Sequence, residues 1–156
     1  MSGVGRRTWV LGLLASAACS RPAPSQAPIS NPDATLVVTL AHSEEVPTAI
    51  RMEVSNPGVT EVSFCRVHTP FEGLSNDIFE VRAPDGSEIP YRGPMLKRAP
   101  PGPEDWFVVQ PGRFHTAEVD LLEGYALQPG TTYTVRYRAS AVSTLPGSPW
   151  FDFTAE

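Results

Sequence analysis

The sequence predicts an all-β protein, an immunoglobulin-like antiparallel β-sandwich of about seven to nine strands. Apolar and polar residues alternate with period two in runs of about five to eight residues, which is typical of strands with one buried and one wet face. Gly, Pro and Asn separate these runs, as turns between strands require. Seventeen prolines disfavour helices. We expect the folded part to cover residues 33–156, which is long enough for one domain with its own core.

Residues 1–18 have the pattern of a bacterial export signal. Arg6 and Arg7 precede an apolar run over residues 9–14, and small residues follow it. The run is too short to span a membrane as a helix. We therefore expect an exported protein. The arginine pair is also weakly similar to a twin-arginine signal.

Cys19 directly follows the small residues 15–18, an arrangement that resembles the lipobox of bacterial lipoproteins. In lipoproteins this cysteine is acylated, although Ser16 stands here where they usually have an aliphatic residue. The alternative is ordinary cleavage near Ala18. Lipidation would anchor the protein to the outer membrane or the cell surface, whereas cleavage alone would give a secreted protein. Residues 19–32 are rich in proline and small polar residues, so they are predicted to be an extended tether.

Charge and cysteine content restrict the class of partner and the means of stabilisation. The formal charge is −5, and removal of the signal makes it two units more negative. This charge argues against nucleic-acid binding, which favours basic surfaces. After Cys19 the remaining cysteine is Cys65, so no internal disulfide is expected. Cys65 ends an apolar run, which favours a buried, inert thiol over a reactive one.

The alternating runs, taken in order, predict which side chains face the core. A last short strand is expected over residues 150–154, and turns are expected at 56–58 and 84–86. The predicted inward-facing residues are Leu36, Val38 and Leu40, then Ile50, Met52 and Val54, then Val62 and Phe64, then Phe79 and Val81, then Ala117, Val119 and Leu121, and finally Tyr133, Val135, Tyr137 and Ala139.

Tyr133 follows a Pro-Gly turn at 129–130 and begins the clearest alternating run. This context resembles the turn into a strand of many immunoglobulin-like domains. There a corner tyrosine uses its hydroxyl to bond back to a nearby loop. The alternative is a tyrosine that is simply buried. Either role is structural.

No pattern in the sequence indicates catalysis, a metal site or a cofactor. His42, His68 and His115 lie far apart and form no His-Glu-x-x-His motif. No Gly-x-Ser-x-Gly elbow accompanies a serine nucleophile, and Cys65 lies in a predicted core strand. We therefore expect a protein that is not an enzyme and that has no cofactor. An enzyme with an unrecognised site is the alternative.

Residues 71–98 are the most distinctive part of the chain, and they predict a loop, a strand, a tight turn and a second short strand. Together with other segments in the same order, they resemble the N-terminal non-catalytic, propeptide-like domain of deuterolysin and peptidyl-Lys metallopeptidases, the aspzincin family. The segments that carry the resemblance are 54–58, 69–74, 77–81, 85–86, 90–93, 97–99, 104–106, 111–112, 119–121, 125 and 133–135.

The resemblance implies a role next to a protease rather than proteolysis itself. In the family, the zinc motif and a later Gly-Thr-x-x-Asp lie in a domain C-terminal to this one, and the present sequence contains neither motif. No catalytic residue is therefore carried over. The N-terminal domain of the family is thought to assist folding or to mask the protease. The resemblance thus implies a protein partner, for which an aspzincin-type metallopeptidase is the candidate and another exported protein is the alternative.

Two hypotheses concern the role of a non-catalytic module. A binding module would present the loop at 71–74 and the segment 91–106 to its partner, stiffened by prolines. The alternative is that the aromatic and apolar residues of these segments pack over the sandwich, in a structural or general interaction lipoprotein of the cell envelope without a protease partner. The candidate partner-binding residues are Phe71, Glu72, Leu74, Tyr91, Lys97, Arg98 and Trp106.

Overall fold

The computed structural model describes residues 35–155, which form an all-β protein with eight strands. Three short 3₁₀ helices also occur in this range, at Pro70–Glu72, Pro103–Asp105 and Leu121–Glu123. Within residues 35–155, no helix is long and apolar enough to cross a membrane. The strands are β1 (Val37–His42), β2 (Ala49–Ser55), β3 (Val62–Cys65), β4 (Phe79–Arg82), β5 (Trp106–Val109), β6 (Phe114–Asp120), β7 (Thr132–Tyr137) and β8 (Phe151–Thr154).

The strands of the described range form three antiparallel sheets, with the orders β1-β2-β6, β3-β5 and β4-β7-β8. In the first sheet, Met52 of β2 pairs with Leu40 of β1 on one side and with Ala117 of β6 on the other. In the third sheet, Val135 of β7 pairs with Val81 of β4 and with Phe151 of β8. The antiparallel all-β class predicted from alternation is confirmed.

Alternation predicted most of the core correctly. Val38, Ile50, Met52, Val54 and the inward residues of β4 and β7 are almost completely excluded from solvent. Burial of each such side chain stabilises the fold by about 1.5–3 kcal/mol. Ala139 is exposed, contrary to prediction, because β7 ends at Tyr137 and the chain leaves the sheet.

Side chains close both predicted turns. The Asn56 side-chain amide donates to the carbonyl oxygens of Thr60 and Val109, each at 2.8 Å, and its oxygen accepts the Gly58 N–H at 2.9 Å. Asp85 accepts the Ser87 N–H at 2.9 Å, and Gly86 adopts φ = +83°, which glycine permits without strain. The predicted turns are therefore confirmed.

Tyr133 and Cys65 lie where the sequence predicts. The Tyr133 hydroxyl accepts the Gln128 N–H at 2.8 Å, which is the bond to a nearby loop that the first of the two alternatives describes. Cys65 is a free cysteine and is completely buried at the end of β3. Its N–H donates to the carbonyl oxygen of Ser143 at 3.0 Å, which ties β3 to the loop after β7.

The structure differs from the sequence prediction in two strands. β5 was not predicted, because Trp106, Phe107, Val108 and Val109 show no alternation and follow a proline-rich segment. The predicted second strand after the turn at 84–86 is reduced to two isolated bridges, Arg82 with Glu88 and Tyr91 with Tyr125. Pro90 and Pro94 flank this segment and cannot donate to a ladder, so pairing does not extend. The predicted signal, the Cys19 lipidation site and the tether at 19–32 lie outside the described residues.

Candidate functional site

A long proline-rich loop connects the bridge at Tyr91 to β5. We call residues 92–105 the proline loop, since Pro94, Pro100, Pro101 and Pro103 lie within it. Each proline fixes its own φ and restricts the residue before it, so the loop has few alternative conformations. The candidate partner-binding residues predicted from the sequence lie in this loop or beside it.

Tyr91 fixes the N-terminal end of the proline loop. Its hydroxyl lies 2.9 Å from the carbonyl oxygen of Leu74 and 2.7 Å from that of Pro94, and it donates its proton between them. Its ring packs edge-on against Tyr125, with centroids 5.4 Å apart. A Cβ at Gly124 would overlap the Tyr91 ring, so this position requires glycine. Burial, with smaller contributions from the charges of Asp77 and Glu123, raises the pKa of Tyr91 above its ordinary value of 10.0.

Arg98 fixes the other end of the loop through a network of ion pairs. Its guanidinium contacts the carboxylate of Glu72 and donates to Asp105 Oδ2 at 2.7 Å. The other carboxylate oxygen of Asp105 accepts from Arg66 Nε at 3.0 Å, and the Gly102 N–H donates to Oδ2 at 3.0 Å. The bond from Gly102, followed by those from Arg66 and Arg98, lowers the pKa of Asp105. Asp105 therefore stays ionised and keeps Arg98 bound at this end of the loop.

Lys97 and Arg98 thus differ in their surroundings, although the sequence made both of them candidate partner-binding residues. The Arg98 side chain is 35% exposed and is engaged by two carboxylates. Lys97 is exposed and has no ion-pair partner among residues 35–155. Of the two, Lys97 is the one whose charge a partner could neutralise without breaking an internal contact.

Phe71, Leu74 and Trp106 are less exposed than the tip of the loop. Leu74 is buried in the core. Phe71 is half-buried, and its ring lies 5.3 Å from those of Phe64 and Phe107 in an aromatic cluster. Trp106 is half-buried on β5. The contacts of Phe71 and Leu74 agree with the packing alternative for these two residues.

Glu72 is also engaged internally. Besides its contact with Arg98, one of its oxygens lies 3.3 Å from the backbone nitrogen of His68, which adopts φ = +60°. A positive φ is uncommon for a residue with a side chain, and the Tyr137 hydroxyl also holds this segment by donating to the His68 carbonyl oxygen at 2.9 Å. These bonds hold residues 68–72, at the base of the loop, in place.

Met95 and Leu96 form, with Lys97, an exposed tip between the two fixed ends. The relative exposure of Met95 is 73% and that of Leu96 is 61%, which is unusual for two adjacent large apolar residues in an ordered loop. Sequence reasoning missed these two as candidates. The available signal was an apolar pair without alternation between two prolines, which predicts a segment outside any strand.

A shallow concavity of about 290 Å³ lies beside the tip. Met95 lines it together with His68, Asp77 and Arg138. Ser140 also lines it; its hydroxyl oxygen accepts the Ser143 N–H at 3.3 Å, and no hydrogen bond joins it to His68 within residues 35–155. Across residues 35–155, no three His, Cys, Asp or Glu side chains converge to hold a metal ion.

A second polar cluster covers the outer face of β4 and β7. Glu80 is buried and receives Arg82 Nε and Arg136 Nε, each at 2.9 Å, on its two oxygens. The Trp150 ring lies against both guanidinium groups, 4.9 and 4.5 Å from its centroid. The hydrogen bond from Arg136 is the largest cause that lowers the pKa of Glu80 below its ordinary value. Two guanidinium groups surround the single carboxylate of Glu80, and these ion pairs tie β4 to β7.

No family model matches the chain, and no curated protein matches it.

Proposed function

We propose that this protein is an exported, non-catalytic binding module that engages a protein partner through the tip of the proline loop. One observation carries the proposal: Met95, Leu96 and Lys97 are exposed between two ends that internal bonds hold in place. A loop that is ordered before binding loses less conformational entropy on association. Large apolar side chains on such a loop are the groups that stabilise an interface.

The partner we propose is a protease, an aspzincin-type metallopeptidase that the module inhibits or helps to fold. The resemblance of residues 71–98 and their flanking segments to a propeptide-like domain supports this choice. The finer fold that we propose is the immunoglobulin-like sandwich. Eight antiparallel strands and the corner bond of Tyr133 support it. We further propose that a lipid on Cys19 holds the module at the envelope surface.

A binding experiment with matched variants tests the proposal. The Met95→Asp/Leu96→Asp double variant is compared with Val59→Asp/Val142→Asp, which places two charges on exposed valines elsewhere. Calorimetric titration measures the affinity of each for a purified aspzincin-type metallopeptidase that lacks its own N-terminal domain. We expect the first variant to bind at least about tenfold more weakly than wild type and the second to bind unchanged. Equal affinity of all three proteins would contradict the proposal.

A structural or general interaction lipoprotein of the envelope is the second candidate. Val59 is 91% exposed at a different turn, so exposed apolar residues are not confined to the proline loop. If wild type shows no binding to the metallopeptidase while remaining folded, the protease partner is rejected and this candidate is preferred. Palmitate labelling of wild type, but not of Cys19→Ser, would establish the lipid anchor in either case.

A further inference from the structure

The backbone at the tip of the proline loop is largely unpaired. Residues 94–99 belong to neither strand nor helix. In this stretch the Leu96 N–H donates to the carbonyl oxygen of Ser75 at 3.0 Å, and the carbonyl oxygen of Pro94 accepts from Tyr91. Within residues 35–155, the N–H groups of Met95 and Lys97 and the carbonyl oxygens of Met95, Leu96 and Lys97 have no hydrogen-bond partner. These groups are free to pair with another strand.

From this geometry we propose that residues 94–98 bind in the substrate cleft of an endopeptidase in the manner of a substrate. The inference rests on the proposed function, because it specifies how the same loop engages a protease. An extended peptide adds to a sheet edge through its main-chain groups, while its side chains enter separate pockets. The exposed ammonium group of Lys97 enters an acidic pocket. Leu96 and Met95 occupy apolar subsites on its N-terminal side.

The fixed ends explain how such a loop inhibits instead of being consumed. Hydrolysis of the Lys97–Arg98 bond adds one water and leaves a carboxylate on Lys97 and an amino group on Arg98. The N-terminal end stays bound through Leu96 to Ser75, and the C-terminal end stays bound through Arg98 to Glu72 and Asp105. The new ends remain at a high effective concentration, which favours resynthesis and retention in the cleft.

The prolines after Arg98 and the buried Asp105 also help to keep the two cut ends together. Pro100, Pro101 and Pro103 limit how far the chain after Arg98 can move once the bond is cut. The Asp105 carboxylate, which also accepts the Gly102 N–H, is buried, so water does not readily displace Arg98 from it. An ordinary exposed loop has no such links on both sides of a bond, and a peptidase releases its products quickly.

The test uses a trypsin-type serine peptidase, which cleaves after Lys and Arg, as a defined probe. Competitive inhibition of its hydrolysis of a chromogenic Lys substrate is measured for the full chain and for a free peptide of residues 93–102. Mass spectrometry follows cleavage at Lys97. We expect the protein to inhibit about 100-fold more strongly than the peptide and to be cut far more slowly.

Three variants separate the causes. Lys97→Ala should weaken inhibition by about 30-fold, the effect of losing a hot-spot side chain. Arg113→Ala, which removes an exposed charge at the turn before β6, should leave inhibition unchanged. Arg98→Ala should make inhibition transient and cleavage rapid, because one new end is no longer held. Circular dichroism confirms that each variant is folded.

Several results would overturn the inference. Substrate-like binding would be excluded if the protein were cleaved at Lys97 as fast as the peptide. It would also be excluded if the uncut protein did not inhibit, or if Lys97→Ala inhibited as strongly as wild type. If such a result appears while Met95→Asp/Leu96→Asp still weakens metallopeptidase binding as expected, the proposed function stands and this mode of contact fails. If trypsin is inhibited as expected but no metallopeptidase binds, the mode stands and the metallopeptidase partner fails.

Discussion

Replacing Glu80 with Gln should destabilise the protein by an amount that the contacts of the carboxylate determine. The side chain is 7% exposed and accepts from Arg82 at 2.9 and 2.6 Å and from Arg136 at 2.9 and 2.5 Å. A buried charge-assisted hydrogen bond contributes about 1.5–3 kcal/mol. The two arginine side chains are 45% and 42% exposed, so solvent screening lowers this to about 1 kcal/mol for each pair.

The expected loss in the free energy of unfolding is therefore about 2 kcal/mol at pH 7. For a domain of this size, that loss lowers Tm by about 8 °C. Thermal and urea unfolding followed by circular dichroism measure both quantities. Glu88→Gln is the matched control, because Glu88 is 55% exposed and its change should cost about 0.5 kcal/mol or less.

The loss of stability caused by Glu80→Gln should also depend on pH. The folded pKa of Glu80 is lowered from 4.5, so its contribution to stability is fully present above that unfolded value. The contribution is lost as the pH falls through the lower folded pKa. The difference between wild type and Glu80→Gln should therefore be constant from pH 7 to about pH 5 and shrink in stronger acid. A difference below about 0.5 kcal/mol at pH 7, or one that does not change in acid, would refute the reasoning.

Two further substitutions test the contacts that surround the proline loop and the corner of β7. Tyr133→Phe removes the hydroxyl that accepts from Gln128, so the free energy of unfolding should fall by about 1 kcal/mol. Urea titration measures this loss, and an unchanged unfolding midpoint would contradict the prediction. Gly124→Ala places a methyl group against the Tyr91 ring, so we expect a loss of about 1–3 kcal/mol and faster limited proteolysis at Lys97. Equal proteolysis rates for Gly124→Ala and wild type would show that Tyr91 does not hold the loop.

Strands with clear alternation were predictable because burial on one face is the strongest constraint on a strand sequence. β2 and β7 follow this pattern, and their inward residues are buried. β5 was missed because four successive apolar residues give no period. Glu80 has an outward position on β4, which alternation associates with solvent. It is buried because Arg82 of the same strand and Arg136 of β7 bond to it, and Trp150 lies against both guanidinium groups.

The candidate site was predictable as a segment but not as a set of contacts. The prolines marked residues 91–106 as a stiff loop, and the loop is present. The partners of Arg98 could not be predicted, because Glu72 lies 26 positions away in sequence and meets it only after folding. The exposure of Met95 and Leu96 also runs against the usual tendency of such residues to be buried.

The buried thiol of Cys65 gives this protein a built-in reporter of local opening. A thiol-alkylating reagent reaches Cys65 only when β3 separates from its neighbours, because the side chain is fully enclosed. β3 pairs with β5, which begins directly after Asp105. The alkylation rate therefore measures how often the strand pair beside the loop anchor comes apart. A bound partner that clamps the proline loop would slow that rate, so a chemical label inside the core would detect an event at the surface.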